Sequence, residues 1–282
     1  MIDLHTHSTA SDGTDSPARL VEVAALAGVT TLAITDHDTT SGWPEAAESA
    51  GRHQIGLVRG AEISALASTP GWGTGVHLLA YLHDPTHPDL LTETDRTRDD
   101  RTSRARRMVD LLGEDYPITW EDLLAQTKSG TTIGRPHIAD ALVAAGVVPS
   151  RDEAFATMLR PGTRYYVGHY APDAVVAVRA IRAAGGVPVF AHPGADARGR
   201  VVPDSTIEEL AAAGLAGLEV DHRDHTPDRR RRLRDIAESL DLLVTGSSDF
   251  HGQGKKNRLG ENTTEPDVLE AIAAQGALEV LR

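Results

Sequence analysis

The segment IDLHTHSTASDG, residues 2–13, places two histidines and two aspartates within twelve consecutive residues. Side chains alternate between the two faces of a β-strand, so Asp3, His5 and His7 share one face of a strand predicted over residues 2–7. Two imidazoles on one face can bind a metal ion or form a hydrogen-bonded structural pair, and this segment alone does not distinguish the two. The question is which other residues the fold brings beside them.

The rest of the chain alternates short β-branched runs with alanine-rich helical runs. We predict seven strands, over residues 2–7, 30–35, 55–63, 75–82, 187–191, 216–220 and 242–247. The first helix has clear end signals, because Ser16 suits the N-cap, Pro17 suits the first helical position and Gly28 follows the apolar stripe. This alternation is typical of parallel β/α units and predicts an α/β fold.

Residues 88–168 show a different pattern, in which strand signals are absent and helical runs follow one another. We predict that this range is a helical insertion domain, within an α/β domain formed by residues 1–87 and 169–282. The charged run from Asp95 to Arg107 is typical of a solvated helix face.

The composition excludes several kinds of site. The 282-residue chain contains no cysteine, which excludes disulfide frameworks, thiolate nucleophiles and cysteine zinc sites. We expect a cytoplasmic protein, since neither a signal peptide nor a membrane span is predicted. With 28 Lys and Arg against 41 Asp and Glu, the net charge of −13 disfavours binding to long duplex nucleic acid or to a membrane surface. No protein partner is implied.

Histidine and acidic residues recur at or just beyond the C-terminal ends of the predicted strands. They are His5, His7, His37, Glu62, His77, His192, Glu219, His222, Asp249 and His251. The strand C-termini of a parallel barrel meet at one face, so these side chains are expected to converge there, provided that His77, deeper in its strand, faces the interior. Burying so many imidazoles and carboxylates without counter-charge costs several kcal/mol per group, so shared cations explain the set better.

Seven motifs in this chain, DLHTHS, SDG, TDHD, GAEIS, VHLLAY, AHPG and SDFHG, resemble the ordered motifs of the PHP (polymerase and histidinol phosphatase) superfamily. They are most similar to its stand-alone metal-dependent phosphoesterases, which act on nucleoside phosphates. The resemblance implies a distorted seven-stranded (β/α)7 TIM-like barrel that holds two to three divalent metal ions.

The resemblance also implies which residues bind a trinuclear metal centre. The implied ligands are His5, His7, Glu62 and Asp249 for one ion, Glu62, His77 and His192 for a second, and Asp12, His37 and His251 for the third. Imidazole and carboxylate ligands without sulfur suit Mn²⁺, Zn²⁺ or Fe²⁺ and do not choose among them. We expect Asp3 and Asp36 to orient imidazoles rather than bind metal. Glu219 and His222 are left outside the ligand set.

Basic residues around the motifs are candidates for binding phosphate. Within GRPHIAD, Arg135 and His137 either contact substrate or merely begin a helix, and the resemblance favours substrate contact with the insertion capping the site. Arg101 and Arg104 are a second candidate phosphate grip. Lys255 and Lys256 follow the last metal motif on a loop and complete the set.

The predicted function is hydrolysis of phosphate monoesters by a metal-bound hydroxide, with no side chain assigned as nucleophile. The expected substrates are AMP, 3′,5′-nucleoside bisphosphates or the 5′ ends of short oligonucleotides. Histidinol-phosphate phosphatase is a second enzyme hypothesis, and an amidohydrolase-like reaction uses the same chemistry on a carbonyl. A non-catalytic metal-binding module is the alternative of a different class.

Overall fold

A computed structural model describes residues 1–69, 72–196 and 200–282. Seven strands form one sheet in the order of the sequence. The strands are β1 (Ile2–Asp3), β2 (Thr31–Ile34), β3 (Gly56–Thr69), β4 (Trp72–Tyr81), β5 (Val187–Phe190), β6 (Gly217–Asp221) and β7 (Leu243–Gly246). The prediction of a seven-stranded α/β barrel is therefore confirmed.

Ten α-helices among the described residues surround or extend this sheet. They are α1 (Pro17–Leu26), α2 (Trp43–His53), α3 (Pro88–Gly113), α4 (Trp120–Leu124), α5 (Arg135–Ala144), α6 (Arg151–Ala154), α7 (Ala174–Ala183), α8 (Asp204–Ala213), α9 (Pro227–Ser239) and α10 (Pro266–Ala273). As predicted, Ser16 caps α1 by accepting a hydrogen bond from the backbone N–H of Arg19. None of the described helices is long and apolar enough to cross a membrane.

Strand β4 runs antiparallel to both of its neighbours, β3 and β5. The prediction of uniformly parallel β/α units was wrong here. A parallel connection needs a crossover of a dozen or more residues, whereas β3 ends at Thr69 and β4 begins at Trp72. Ser64 lies two residues beyond Glu62, on the same face of β3. The hairpin places Ser64 opposite His77 on β4.

The barrel closes between its first and last strands through few contacts. Thr6 and Phe250 form a parallel bridge, and the N–H of His7 donates to the carbonyl of Phe250 at 2.9 Å. The buried Asp3 carboxylate accepts from the N–H groups of Ser248 at 3.0 Å and Gly260 at 2.9 Å. Asp3 thus joins β1 to the segments after β7, and the expectation that it orients an imidazole was wrong.

Residues 88–168 contain helices α3 to α6 and a π-helical segment, Phe155–Leu159, and no strand, as their sequence pattern predicted. They bury an apolar cluster of their own, which includes Met108, Leu112, Leu123 and Ile138. The barrel has separate clusters, one of them beneath β4 and β5 around Leu79 and Val189. The division of the chain into two domains stays a prediction.

We predict that Asp3→Asn destabilises the protein by about 1–3 kcal/mol, because the two N–H donors approach different carboxylate oxygens and the NH₂ group that replaces one oxygen faces an amide N–H. The urea unfolding midpoint, followed by circular dichroism, measures this effect. Asp110→Asn is the matched control, since Asp110 is exposed on α3. Equal midpoints for the two variants would contradict the role given to Asp3.

Candidate metal centre

The implied metal ligands lie together at one face of the barrel, at or beyond the C-terminal ends of most strands that carry them. They are His5, His7, Asp12, His37, Glu62, His77, His192, Asp249 and His251. Most are fully buried, and only His77, at 33% side-chain exposure, is substantially open to solvent. The side chain of His77 faces the interior, because its Nδ1 lies 2.7 Å from Oε1 of the buried Glu62.

The first group of donor atoms comes from His5, His7, Glu62 and Asp249. The Nε2 atoms of the two imidazoles are 3.1 Å apart. They lie 3.2 and 3.0 Å from Oε2 of Glu62, and each is 3.4 Å from Oδ1 of Asp249. Four potential ligand atoms therefore surround one point, as expected for a shared cation.

Glu62 faces further imidazoles with both of its carboxylate oxygens. Oε1 lies 2.7 Å from Nδ1 of His77 and 3.2 Å from Nε2 of His192. Oε2, which also faces the first group, lies 3.3 Å from Nδ1 of His37. This geometry suits a carboxylate that bridges two cations.

A third group of donor atoms gathers around Asp12. Its carboxylate lies 3.3 Å from Nε2 of His251, 3.5 Å from Nδ1 of His7 and 3.8 Å from Nε2 of His37. Three sets of potential ligand atoms lie within 4.8 Å of one another, from His5, His7, Glu62 and Asp249, from His37, Glu62 and His77, and from His7, Asp12, His37 and His251. The set around Glu62 and His77 thus contains His37, whereas the resemblance implied His192. The imidazole of His7 borders two groups, one at each ring nitrogen, which the resemblance did not imply.

Buried ring nitrogens without hydrogen bonds test whether these residues fit a metal. Nδ1 of His37, Nδ1 of His77 and Nε2 of His251 make no hydrogen bond among the described residues. Each nevertheless has a carboxylate oxygen within 3.3 Å. Divalent cations require converging imidazole lone pairs and carboxylate oxygens. These atoms converge here without forming hydrogen bonds, so the residues fit a divalent metal ion.

Neighbouring charges shift the pKa values of the buried side chains in these groups. Burial acts to raise the pKa of Glu62, but His77, His37 and His5 hold it well below its usual range. Burial disfavours the charged form of His7, yet its contacts with Asp249 and Glu62 raise its pKa to about 9. Glu62 is therefore a charged carboxylate in the interior, stabilised by its imidazole neighbours.

Two acidic residues next to the groups orient imidazoles. Oε1 of Glu219 lies 2.9 Å from Nδ1 of His5, and Oε2 accepts from the backbone N–H of His192 at 2.8 Å. A carboxylate at Nδ1 fixes the proton there and leaves the Nε2 lone pair for a metal. Asp36 reaches His7 only indirectly, because it accepts from the hydroxyl of Ser11, whose oxygen lies 3.3 Å from Nδ1 of His7.

Arg101 is buried in an ion pair rather than exposed on a solvated helix face. Its Nε lies 2.9 Å from Oδ2 of Asp38, and its Nη2 donates to the hydroxyl of Ser64 at 2.5 Å. Because Ser64 faces His77 across the β3–β4 hairpin, Arg101 borders the metal-ligand groups. Its charge is already neutralised by the protein.

Arg104 and Arg135 have no carboxylate partner within the described ranges. Arg104 is 2% exposed, and burial, followed by the charges of Arg101 and Arg135, lowers its pKa to about 9. Arg135 lies 5.4 Å from the ring centroid of Phe155 and 5.7 Å from that of Tyr166. Partly buried guanidinium groups with no carboxylate at ion-pair distance attract anions.

The other sequence candidates differ in their surroundings. His137 uses both ring nitrogens within the protein, since Nδ1 accepts from the N–H of Gly134 at 3.0 Å and Nε2 donates to the carbonyl of Ser11 at 2.9 Å. Lys255 is partly exposed and donates to Oδ2 of Asp249 at 3.0 Å. Lys256 is 88% exposed and lies on the surface, away from these contacts.

His169 was missed by the sequence analysis. Burial, followed by the charges of Arg101, Arg104 and Arg135, lowers the pKa of its imidazole. The sequence GHYAPD carries no pattern that would single it out, because its neighbours come from helices distant in the chain.

We predict that Glu219→Gln lowers the affinity for divalent metal roughly 10- to 100-fold, because the amide no longer enforces the Nδ1–H tautomer of His5. Titration of chelator-treated protein with Mn²⁺ measures this affinity. Glu208→Gln, an exposed position on α8, is the matched control. Unchanged affinity in Glu219→Gln would show that its hydrogen bond to His5 is only structural.

Comparison with known proteins shows which family has this arrangement. The sequence model of the PHP domain matches residues 3–127. The 3′,5′-nucleoside bisphosphate phosphatase of Chromobacterium violaceum is 33% identical, across 100% of this chain and 98% of that protein. The 5′-3′ exoribonuclease of Haemophilus influenzae is 35% identical, across 96% of each chain.

The fold agrees with the sequence relatives. The crystal structure of a metal-dependent phosphoesterase from Bifidobacterium adolescentis has a TM-score of 0.94 to this structure, at 46% identity, and the match covers 98% of this chain and 96% of that one. Matches of this identity span nearly the whole chain rather than a single motif. The chain therefore belongs to the PHP family of metal-dependent phosphoesterases.

Proposed function

We propose that this protein hydrolyses phosphate monoesters of nucleotides: AMP, 3′,5′-nucleoside bisphosphates or the 5′ ends of short oligonucleotides. The observation that carries the proposal is a buried Arg104 with no carboxylate within ion-pair distance among the described residues. Its charge acts on Arg101, which reaches Ser64 opposite the metal-ligand residue His77. The relatives support the same substrate class, since one is named as a phosphatase of nucleoside bisphosphates and another as an exoribonuclease.

The nine implied ligands would hold two to three divalent ions, with Mn²⁺, Zn²⁺ or Fe²⁺ suited to the donor set. Such ions acidify a water molecule and neutralise charge on phosphoryl oxygens. The chain's own contribution is to position the ligands: Glu62 joins two groups, and Glu219 fixes the tautomer of His5. Lys255, beside Asp249 and partly exposed, supplies a positive charge at the edge where a phosphate would enter.

In substrates that carry a second anionic group, such as 3′,5′-nucleoside bisphosphates, the arginines would bind that group, because Arg104 and Arg135 have no carboxylate within ion-pair distance in the part of the chain described. Arg101 would connect this anion site to the metal-ligand groups, because it donates to Ser64 opposite His77. Histidinol phosphate has a cationic amine in place of a second anion, so this cluster favours a nucleotide over it. The complete ligand set weighs against a non-catalytic module.

The insertion, residues 88–168, would cap the site. It holds the loop that carries Asp12 through three contacts with the backbone of residues 9–11. The N–H of Thr132 donates to Ala10, Oγ1 of Thr131 to Thr9, and His137 to Ser11. His137 thus positions the Asp12 loop and needs no contact with substrate. A cytoplasmic location and the absence of a protein partner remain predictions.

We predict that the metal-loaded protein releases phosphate from adenosine 3′,5′-bisphosphate, AMP or a short 5′-phosphorylated RNA faster than from histidinol phosphate. A chelator should abolish the release, because the site depends on divalent ions. A colorimetric phosphate assay with each substrate measures the rates. Turnover of histidinol phosphate alone would contradict the nucleotide proposal, and no turnover at full metal loading would favour the binding-module alternative.

We predict that Arg104→Gln raises the KM for adenosine 3′,5′-bisphosphate about 10- to 100-fold, because a charge-assisted contact with phosphate contributes about 1.5–3 kcal/mol. The same variant should not lower the melting temperature, since it removes a buried charge that lacks a partner. Steady-state kinetics and thermal unfolding measure the two effects. Arg107→Gln, exposed on the same helix, is the matched control. An unfolded variant, or an unchanged KM, would contradict this role.

A further inference from the structure

His169 lies where the insertion returns to the barrel, beside the arginine cluster. Its Nδ1 lies 2.6 Å from the carbonyl oxygen of Tyr170. A carbonyl can only accept a hydrogen bond, so Nδ1 carries the proton and Nε2 has a bare lone pair. Nε2 makes no hydrogen bond within the described part of the chain, and the residue is only partly buried.

Burial and neighbouring positive charge keep this imidazole neutral. Burial, followed by the charges of Arg101, Arg104 and Arg135, lowers the pKa of His169 to about 3. A neutral Nε2 among guanidinium groups can accept a hydrogen bond from one of them but cannot donate to a phosphate oxygen. The imidazole must therefore gain a proton at Nε2 before it can donate a hydrogen bond to an anion.

Other charged groups approach this segment from α3. On α3, Asp100 accepts from the N–H of Tyr170 at 2.6 Å, and Glu93 accepts from the hydroxyl of Tyr170 at 2.6 Å. Arg96 on the same helix lies over the ring of Tyr170, 3.7 Å from its centroid. The ring of Tyr166 lies 5.7 Å from the Arg135 guanidinium. A dianion among the arginines is the change that reverses the local charge.

We propose that His169 completes the phosphate site by taking up one proton at Nε2 when a dianion enters the arginine cluster, so that anion binding is coupled to proton uptake. The proton comes from solvent, and the new N–H donates to an anion oxygen. The inference rests on the proposed function, because it requires that Arg104 and Arg135 bind the second anionic group of the substrate. His169 is then a binding residue that favours a dianionic phosphate at this position, so that among the proposed substrates a 3′,5′-nucleoside bisphosphate binds more tightly than an oligonucleotide whose second anionic group is a monoanionic diester.

Inorganic sulfate tests the coupling, because it stays a dianion across the pH range in which histidine titrates. Isothermal titration of the Mn²⁺-loaded full chain at pH 6, in buffers of different ionisation enthalpy, gives the number of protons taken up per sulfate bound. We expect wild-type protein to take up close to one proton more than His169→Gln. His53→Gln, an exposed histidine on α2, should match wild type.

The pH dependence provides a second measurement on the same proteins. Sulfate affinity of the wild type should fall with rising pH, approaching about tenfold per pH unit where uptake is complete, while His169→Gln binds about tenfold more weakly at pH 6 and has a flatter profile. Spectra of ¹⁵N-histidine-labelled wild type need no variant: one neutral imidazole should become doubly protonated when sulfate is added.

Two failures can be told apart with Arg104→Gln. If this variant binds sulfate as tightly as wild type, the proposed phosphate site is wrong and the inference falls with it. If it weakens sulfate binding while wild type and His169→Gln take up the same number of protons, the phosphate site stands and the role of His169 is overturned.

Discussion

Glu62 is the residue on which the site depends, because it is a charged carboxylate 1% exposed in the barrel interior. Imidazoles from different segments approach both of its oxygens, with His77 at Oε1 and His5 and His7 at Oε2. An isolated carboxylate in such a place would be protonated or would destabilise the fold. The charge of Glu62 therefore requires that distant parts of the chain arrive together, and the fold and the site depend on each other.

Two structural features bring those parts together. The β3–β4 hairpin places His77 and Glu62 on adjacent strands, so their contact follows from the antiparallel register. Closure of the barrel places Asp249 beside His5 and His7 through the Thr6–Phe250 bridge. Asp249 and His192 adopt positive φ values of 53° and 34°, which non-glycine residues rarely adopt. Such strain is typical of functional sites, where the surrounding structure maintains it.

The positions of strands and helix ends that depend on periodicity and residue type were predictable from the sequence. The β-branched runs located all seven strands, and the cap signals located α1. Strand direction was not predictable, because a strand has the same alternation whichever way it runs. The ends of a strand were not predictable either: the alternation continues to His7, but β1 ends at Asp3, and within the described residues Thr6 pairs with Phe250 only as an isolated bridge.

In the site, the residue types that converge were predictable from the sequence, but the pairings between side chains were not. Motif order indicated which imidazoles and carboxylates converge, but not that Asp38 would neutralise Arg101 or that both nitrogens of His137 would be used within the protein. Pairings of this kind depend on three-dimensional neighbours. The basic residues near the motifs looked equivalent in sequence, yet the structure separates paired Arg101 from unpaired Arg104 and exposed Lys256.

The unpaired arginines bear on how a chain with a net charge of −13 can bind a phosphate at all. Most of its basic side chains on α9 are neutralised by acidic neighbours, as Arg232 is by Asp204 and Arg234 by Asp221. Arg104 and Arg135 are not, and burial removes the water that would screen them. Such an arrangement lowers the stability of the free protein and strengthens attraction for an anion at this one place. The overall acidity then opposes long polyanions while the local field admits a small one.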